Sequence, residues 1–168
     1  MNVQIRKGNK SDVPAVFSLM MELAIYEKGE HLVTNTVEQM TEDGFGENPV
    51  FGLLVAEHFD KLSVTPTQEK GEIVGMAVYF IKYSTWKGKG IFLDDLVVTE
   101  KMRRHGIGKK LFDAVIAEAK KINAKTMHWQ VLDWNTPAIE FYKKYDCSFE
   151  EEWVDCKLSE EQLKSGIK

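Results

Sequence analysis

The sequence predicts an α/β chain built on a mixed, mostly antiparallel sheet of six to seven strands, with one parallel pair and helices on both faces. Three observations carry that expectation. Apolar stretches at 50–58, 71–84 and 90–100 follow one another with no helical pattern between them, so they should pair as antiparallel neighbours. The segment 90–134 then reads strand, helix, strand, which requires a parallel pair joined by a right-handed crossover. Ahead of both, an amphipathic helical pattern follows a short opening strand. A length of 168 residues suits one core, so a single domain over 1–168 is expected.

Taken in order, VQIR (3–6) alternates and reads as the opening strand. SDVPAVFSLMMELAIYEK then puts Val13, Val16, Phe17, Met20, Leu23 and Ala24 on one helical stripe. Ser11 is its expected N-cap, and Asp12 adds charge at the positive end of the helix. A second helix is expected around Val37–Asp43, broken by GFGENP. The polar stretch 59–70, with Pro66, reads as the loop between two hairpin strands. A helix runs from the turn at 103–106 to about Ile122, and TMHWQVLDW (126–134) is the parallel strand. TPAIEFYKKY (136–145) is a helix with Pro137 in its first turn, where a missing N–H costs little. CSFEEEWVDCKL (147–158) is expected to add one or two closing strands, and the last ten residues a short helix or tail.

Composition narrows the function. Apolar residues make up 43% and charged residues 29%, an ordinary globular balance. The net charge of −4 argues against a general nucleic-acid partner, which calls for a basic field over one face. No apolar run approaches the roughly 20 residues that span a bilayer, so no membrane partner is expected. The N-terminus lacks the apolar core of a signal peptide, and Cys147 and Cys156 read as reduced thiols of a cytoplasmic protein. His31, His58, His105 and His128 have no ligand spacing, so no metal is expected.

Within this acidic chain, RRHGIGKKLFDAVI (103–116) concentrates cations around two glycines directly before an apolar helix. Such a turn is a ready anion site, because backbone N–H groups point outward and the helix dipole favours negative charge. Two nucleotide patterns fail on residues that carry mechanism. A Walker A loop ending at Gly108-Lys109 would need glycine at Arg103 and a hydroxyl at Lys110. A dinucleotide fingerprint starting at Gly106 would need glycine at Leu111. The remaining pattern is Arg103-Arg104-His105-Gly106-Ile107-Gly108, an Arg-x-x-Gly-x-Gly run after the strand FLDDLVV. It resembles the acyl-CoA pyrophosphate loop of the GNAT N-acetyltransferases, and the order of elements resembles that family over nearly the whole chain.

The resemblance implies a GNAT fold, acetyl-CoA as cosubstrate and direct acetyl transfer to a small primary amine in a ternary complex. It assigns the pantetheine arm and thioester oxygen to backbone near Leu96, Val97 and Val98, and the CoA phosphates to Arg103, Arg104, His105, Gly106, Ile107, Gly108 and Lys109. Downstream, Asn135-x-Pro137 followed by Phe141-Tyr142 is similar to the family's Asn-x-x-(Ala/Ser)-x-x-(Phe/Leu)-Tyr segment. That implies Asn135 as a cofactor contact and Tyr142 as a cofactor contact and general acid toward the CoA sulfur. Asp146 stands where the family usually has glycine, so a local change of the turn is expected there.

FLDDLVV also places Asp94 and Asp95 in mid-strand, where alternation should send them to opposite faces. A buried unpaired carboxylate is costly, so each should reach a cleft, a partner or water. One reading is a strand salt bridge or an edge charge. The other is a carboxylate that binds an ammonium and removes its proton, since an amine must be neutral to attack a thioester. Leu93-Asp94-Asp95-Leu96-Val97-Val98 resembles the Leu-Glu-Asp pattern of the spermidine/spermine N-acetyltransferase branch, as do ELAIYEK, EDGFGENP, YSTWKGK, LDWN and EEEW. From that branch come Tyr26, Glu27, Trp86, Asp94, Asp95 and Trp153 as substrate contacts, with Asp94 as the base in place of a longer Glu. Ser84-Thr85, where polyamine-selective members have Asp-Pro, and Leu132, where they have a small residue, depart from the polyamine pattern and resemble the subtype that acetylates thialysine. Hydroxyls there suit the α-amino-acid end of a lysine-like substrate, whereas a lost carboxylate removes the counter-ion for a distant second ammonium. The branch also implies a homodimer. Spermidine, spermine or a diamine is the alternative acceptor, and a non-catalytic acyl-CoA-binding module or a nucleic-acid contact through the basic turn are the rival classes.

Overall fold

In the computed structural model of the chain, which describes residues 2–59, 71–150, 152 and 154–165, β1 (Asn2–Lys7) pairs antiparallel with β2 (Gly52–Phe59). β2 pairs antiparallel with β3 (Glu72–Ser84), and β3 with β4 (Gly88–Val98). β5 (Thr126–His128) closes the described sheet at the other side of β4, in parallel. Between the strands lie α1 (Val13–Tyr26), α2 (Val37–Phe45) and α3 (Ile107–Lys121). The chain divides into two compact units, Met1–Gln130 and Val131–Lys168; the second contains α4 (Thr136–Lys143) and α5 (Glu160–Ser165).

Helices cover both faces of the sheet in the first unit. Leu53 and Val55 of β2, with Met76 and Val78 of β3 and Val97 of β4, join Val13, Val16 and Leu19 of α1 and Met40 of α2 in one buried cluster. Leu54 and Ala56 alternate to the other side and are buried too, where Leu111, Phe112 and Val115 of α3 lie. This double cover explains why β2 reads as a continuous apolar run rather than an alternating one.

An ionic clasp fixes the first helix to the sheet. The Arg6 guanidinium forks onto Asp12, with Nη1 to Oδ2 at 2.6 Å and Nη2 to Oδ1 at 3.0 Å, while its Nε reaches Glu57 Oε2 at 2.6 Å. Glu57 Oε1 also accepts the Gly71 amide at 2.9 Å, so β1, β2 and the start of β3 share one network. Asp12 is fully buried and Glu57 nearly so. Both carboxylates raise the Arg6 pKa, mainly through their hydrogen bonds, so the guanidinium stays charged.

Several expectations are corrected. Asn9, not Ser11, caps the start of the helical segment. Its side chain accepts from the Ser11 amide, and Asp12 reaches back to the Asn9 amide at 2.9 Å, so a capping box opens a 3₁₀ turn at Lys10–Asp12 ahead of α1. The sheet has five strands among the described residues, not six to seven. β5 stops at His128 rather than residue 134, because only Gly90–Phe92 of β4 pair with it. No strand forms among the described residues of 147–158: Phe149 and Val154 are exposed there, and β propensity without a ladder partner makes no strand. The loop expected at 59–70 lies, beyond Phe59, outside the described residues. Asp146 takes a left-handed backbone conformation, with φ of 54°.

Two stability effects follow. Asp12→Ala strips the clasp of its buried partner and should cost about 3 kcal/mol in urea denaturation. Asp146→Gly relieves a left-handed non-glycine residue and should add about 0.5–1 kcal/mol without moving the backbone.

Candidate active site

β4 carries the chemistry-bearing residues because its register slips once. Tyr79 of β3 faces Leu93, and the next residue back, Val78, faces Asp95, so Asp94 is an extra residue with no partner on β3. Such a bulge bends a strand and re-aims side chains. It also interrupts simple alternation between Leu93 and Asp95. Adjacent Tyr79 and Val78 point to opposite faces, so Leu93 and Asp95, two apart, do as well. Asp95 therefore lies on the α1 side with Val78, while Leu93 is buried on the other.

Two further carboxylates act on Asp95 at this place. Asp95 is pushed up to about 6, by burial first, then by the charges of Asp94 and Glu27. Burial also raises Asp94 and Glu27 above the ordinary carboxylate range. Glu27 is set by the end of α1, where Lys28 turns left-handed at φ 60° and the Gly29 amide bonds back to Ala24 at 2.8 Å. That ending resembles a glycine-type helix stop made with lysine, a strained turn next to charged side chains. Tyr26, the residue before Glu27, is partly exposed.

Beyond Phe92 the β5 side of β4 pairs with no strand among the described residues, so the backbone of 93–98, including Leu96, Val97 and Val98, forms an open edge. β4 then runs into a 3₁₀ turn at Glu100–Met102 and the cationic loop. Arg103 Nε donates to the Val98 carbonyl at 2.9 Å, and the Arg103 amide is taken up by Glu100 at 3.2 Å. Arg104 and Gly106 are both left-handed, at φ 63° and 77°, a backbone alternation of the kind that can form an anion-binding concavity. Gly106 caps α3 without a side-chain bond. At Gly108 a side chain would meet nothing closer than Val98 Cγ2 at 3.9 Å. The protein itself does not require glycine in this first helical turn, so the gap leaves the turn's backbone approachable from outside. Arg104, His105 and Lys109 are exposed around it, with Lys109 paired to Asp113 at 2.6 Å, while Ile107 is buried and anchors the helix.

In the second unit, Asn135 caps α4 by accepting the Ala138 amide at 3.3 Å, with Pro137 in the first turn as expected. Tyr142 is buried, and burial followed by Cys147 pushes its hydroxyl up to about 12, so it stays a protonated donor across the neutral range. Leu132 is partly exposed and its carbonyl accepts the Asn135 amide.

The chain matches the acetyltransferase (GNAT) family model over residues 29–147. It is 34% identical to the thialysine N-epsilon-acetyltransferase of Mus musculus over 97% of this chain and 96% of that protein. The chain belongs to the GNAT acetyltransferase family. It is therefore an acyltransferase with the GNAT fold. It is also 32% identical to the human spermidine/spermine N(1)-acetyltransferase-like protein 1, over 95% of this chain and 23% of that longer protein. A possible acetyltransferase from Clostridium difficile 630 shares the fold with a TM-score of 0.74 at 18% identity, covering 95% of this chain and 99% of that one.

In this GNAT chain the residues expected from sequence separate into groups. Glu27, Asp94 and Asp95 come together, beside the strand that feeds the 103–109 loop. Ser84, Thr85 and Trp86 do not join them within one chain. They form the tip of the β3–β4 hairpin, about 20 Å from Asp94 along β4. There the Ser84 hydroxyl oxygen accepts the Trp86 and Lys87 amides, both at 3.2 Å, and Trp86 is almost wholly exposed. Trp153 lies outside the described residues. Among the described residues no helix is long and apolar enough to cross a membrane, and no three His, Cys, Asp or Glu side chains are grouped for a metal. Sequence reasoning missed the bulge and the tie between Arg103 and Val98; no residue-level signal marks either one.

A raised carboxyl pKa costs stability once the group ionises. The contribution of Asp95 is fully favourable below its ordinary value of 3.8 and is lost as pH rises through about 6. Asp95→Asn should therefore raise stability by roughly 1–3 kcal/mol at pH 8 and by much less at pH 4, measured by thermal melts at both.

Proposed function

We propose that this acyltransferase moves the acetyl group of acetyl-CoA to the side-chain amine of thialysine or a similar lysine-like amino acid, by direct attack in a ternary complex. The observation that carries the reading is the continuity of β4: its bulge holds the carboxylate cluster, and its end leads directly into a glycine loop with approachable first-turn amides. Carboxylates recruit an ammonium; a loop of that backbone form and a helix N-terminus suit a pyrophosphate. The open gap at Gly108 fits the CoA donor, whose phosphates would lie against the amides of 104–109 with Arg104, His105 and Lys109 around them. The pantetheine arm would use the open edge at Leu96, Val97 and Val98. Asn135 would hold the arm as well as cap α4.

Asp94 takes the amine's proton through water, since it reaches solvent while its carboxyl is raised toward a useful base. Tyr26, Glu27 and Asp95 hold the ammonium-bearing chain, aromatic and acidic groups being suited to a cation. Tyr142, protonated up to about 12, donates to the departing CoA sulfur. The identity with the murine thialysine enzyme supports the lysine-like acceptor, as does Leu132 at the position where polyamine enzymes carry a small residue. Ser84 and Thr85 lie too far from Asp94 in the same chain to share a lysine-sized substrate with it, so they would meet the α-amino-acid end only from the hairpin of a second copy, Ser84 through its hydroxyl proton because its oxygen already accepts two amides. One observation favours spermidine or a diamine instead: three carboxylates with raised pKa, two of them acting on Asp95, suit a substrate with several ammonium groups. A single acetyltransferase domain over 1–168 accords with a family match that crosses residue 130. A homodimer accords with the exposed Ile81, Tyr83 and Trp86 of the hairpin, with Trp153 as a further substrate contact. A cytoplasmic location accords with the two free thiols.

An amine panel with acetyl-CoA decides the acceptor: thialysine should be turned over faster than spermidine, spermine or small diamines, and the reverse order overturns the lysine-like reading. Tyr142→Phe should bind acetyl-CoA normally yet lose about 10²-fold or more in kcat. Gly108→Leu should keep or raise stability, by up to about 1 kcal/mol from helix propensity. Its KM for acetyl-CoA should nevertheless rise about tenfold, because the side chain fills the space over the amides.

A further inference from the structure

Arg103 heads the cationic loop, but its own groups are engaged within the protein. Its Nε donates to the carbonyl of Val98, the last residue of β4, at 2.9 Å, and its guanidinium carbon lies 5.7 Å from the centre of the Tyr26 ring. Its amide closes the 3₁₀ turn on Glu100. Four residues earlier, Thr99 donates its hydroxyl proton to Glu22 Oε1 at 3.1 Å. Glu22 and Tyr26 are one turn apart on the same face of α1. The junction between β4 and α3 thus grips the last turn of α1 at two points, and that turn presents Tyr26 and Glu27.

We propose that Arg103 is a positioning residue that couples the two substrates: it braces the amine-side turn of α1 against the strand end from which the donor loop departs. The proposal rests on the acetyl-CoA and amine reading above, in which Tyr26 and Glu27 serve the acceptor and 104–109 the donor. Only guanidinium chemistry meets both demands at once, with an in-plane Nε–H for the carbonyl and a flat cationic face for the ring. Lysine keeps the charge but cannot do both. A phosphate contact would tolerate lysine, whereas a brace would not.

Arg103→Lys separates these roles. At saturating acetyl-CoA its KM for the preferred amine should rise about threefold to tenfold. The Kd for acetyl-CoA, measured by calorimetry, should stay within about twofold. Tyr26→Phe keeps the ring and should leave the coupling intact. Tyr26→Ala should raise the amine KM on its own but add under about twofold in the Arg103→Lys background. A readout that needs no turnover is hydrogen exchange of the Ile25 and Glu27 amides, which should quicken in Arg103→Lys without substrates. Unchanged exchange, an unchanged amine KM, or fully additive effects of Arg103→Lys and Tyr26→Ala would each overturn the brace. Weakened acetyl-CoA binding with a normal amine KM would overturn it too, in favour of a plain anion contact. If the wild-type protein released no CoA with any amine of the panel, the proposed function would fall, and the exchange result would still judge the brace by itself.

Discussion

A strand packed between helices on both faces should exclude charge, because a carboxylate held away from water without a partner is expensive. β4 lies under that constraint and still carries two adjacent carboxylates. The register slip at Asp94 reconciles the two. One extra residue lets Leu93, Val97 and the rest of the apolar side chains keep their buried places while Asp94 turns toward solvent and Asp95 moves to the α1 side. The slip does not remove the whole cost. Asp95 keeps a raised pKa of about 6. Stability and chemistry are in tension at this position, as they commonly are at functional sites.

The arrangement also divides charge along one strand. Acidic groups gather at its middle and at the end of α1, whereas the residues just past its end are cationic and wrapped around left-handed backbone. An acidic chain with net charge −4 therefore keeps a cationic loop apart from an acidic cluster. The Arg6–Asp12–Glu57 clasp serves the same geometry from the opposite end of α1. It fixes the start of the helix on β1 and β2, and the contacts of Thr99 and Arg103 fix its finish. Held at both ends, α1 presents Tyr26 and Glu27 from a defined position even though the turn after them is strained.

Much of this was legible in the residues. The three consecutive apolar stretches became antiparallel β2, β3 and β4, and α1 through α4 lie close to their expected places. Asn135 and Pro137 start α4 as their chemistry suggests, and Asp146 holds a glycine-type turn. What failed shares one cause. Ser11 lost the cap to Asn9 because capping depends on which residue completes the box with Asp12. The extension of β5 and the closing strands failed because a strand exists only where another backbone accepts its hydrogen bonds. The hairpin position of Ser84–Trp86 was readable as a turn, but its distance from the carboxylates was not, because that distance is set by the register of β3 against β4.

The sequence by itself determined the sheet-and-helix alternation, the glycine loop before α3 and the presence of two strand carboxylates, since these are properties of periodicity and of local backbone preference. The tertiary structure alone decided how those carboxylates are presented and which cations are engaged. A one-residue slip against β3 has no local signature, because either register satisfies the strand's own propensities; only packing between two helical layers chooses it. The same holds for Arg103. Its charge is written in the sequence, but its commitment to Val98 and Tyr26 arises only once a strand end and a helix end, far apart in the chain, are brought together.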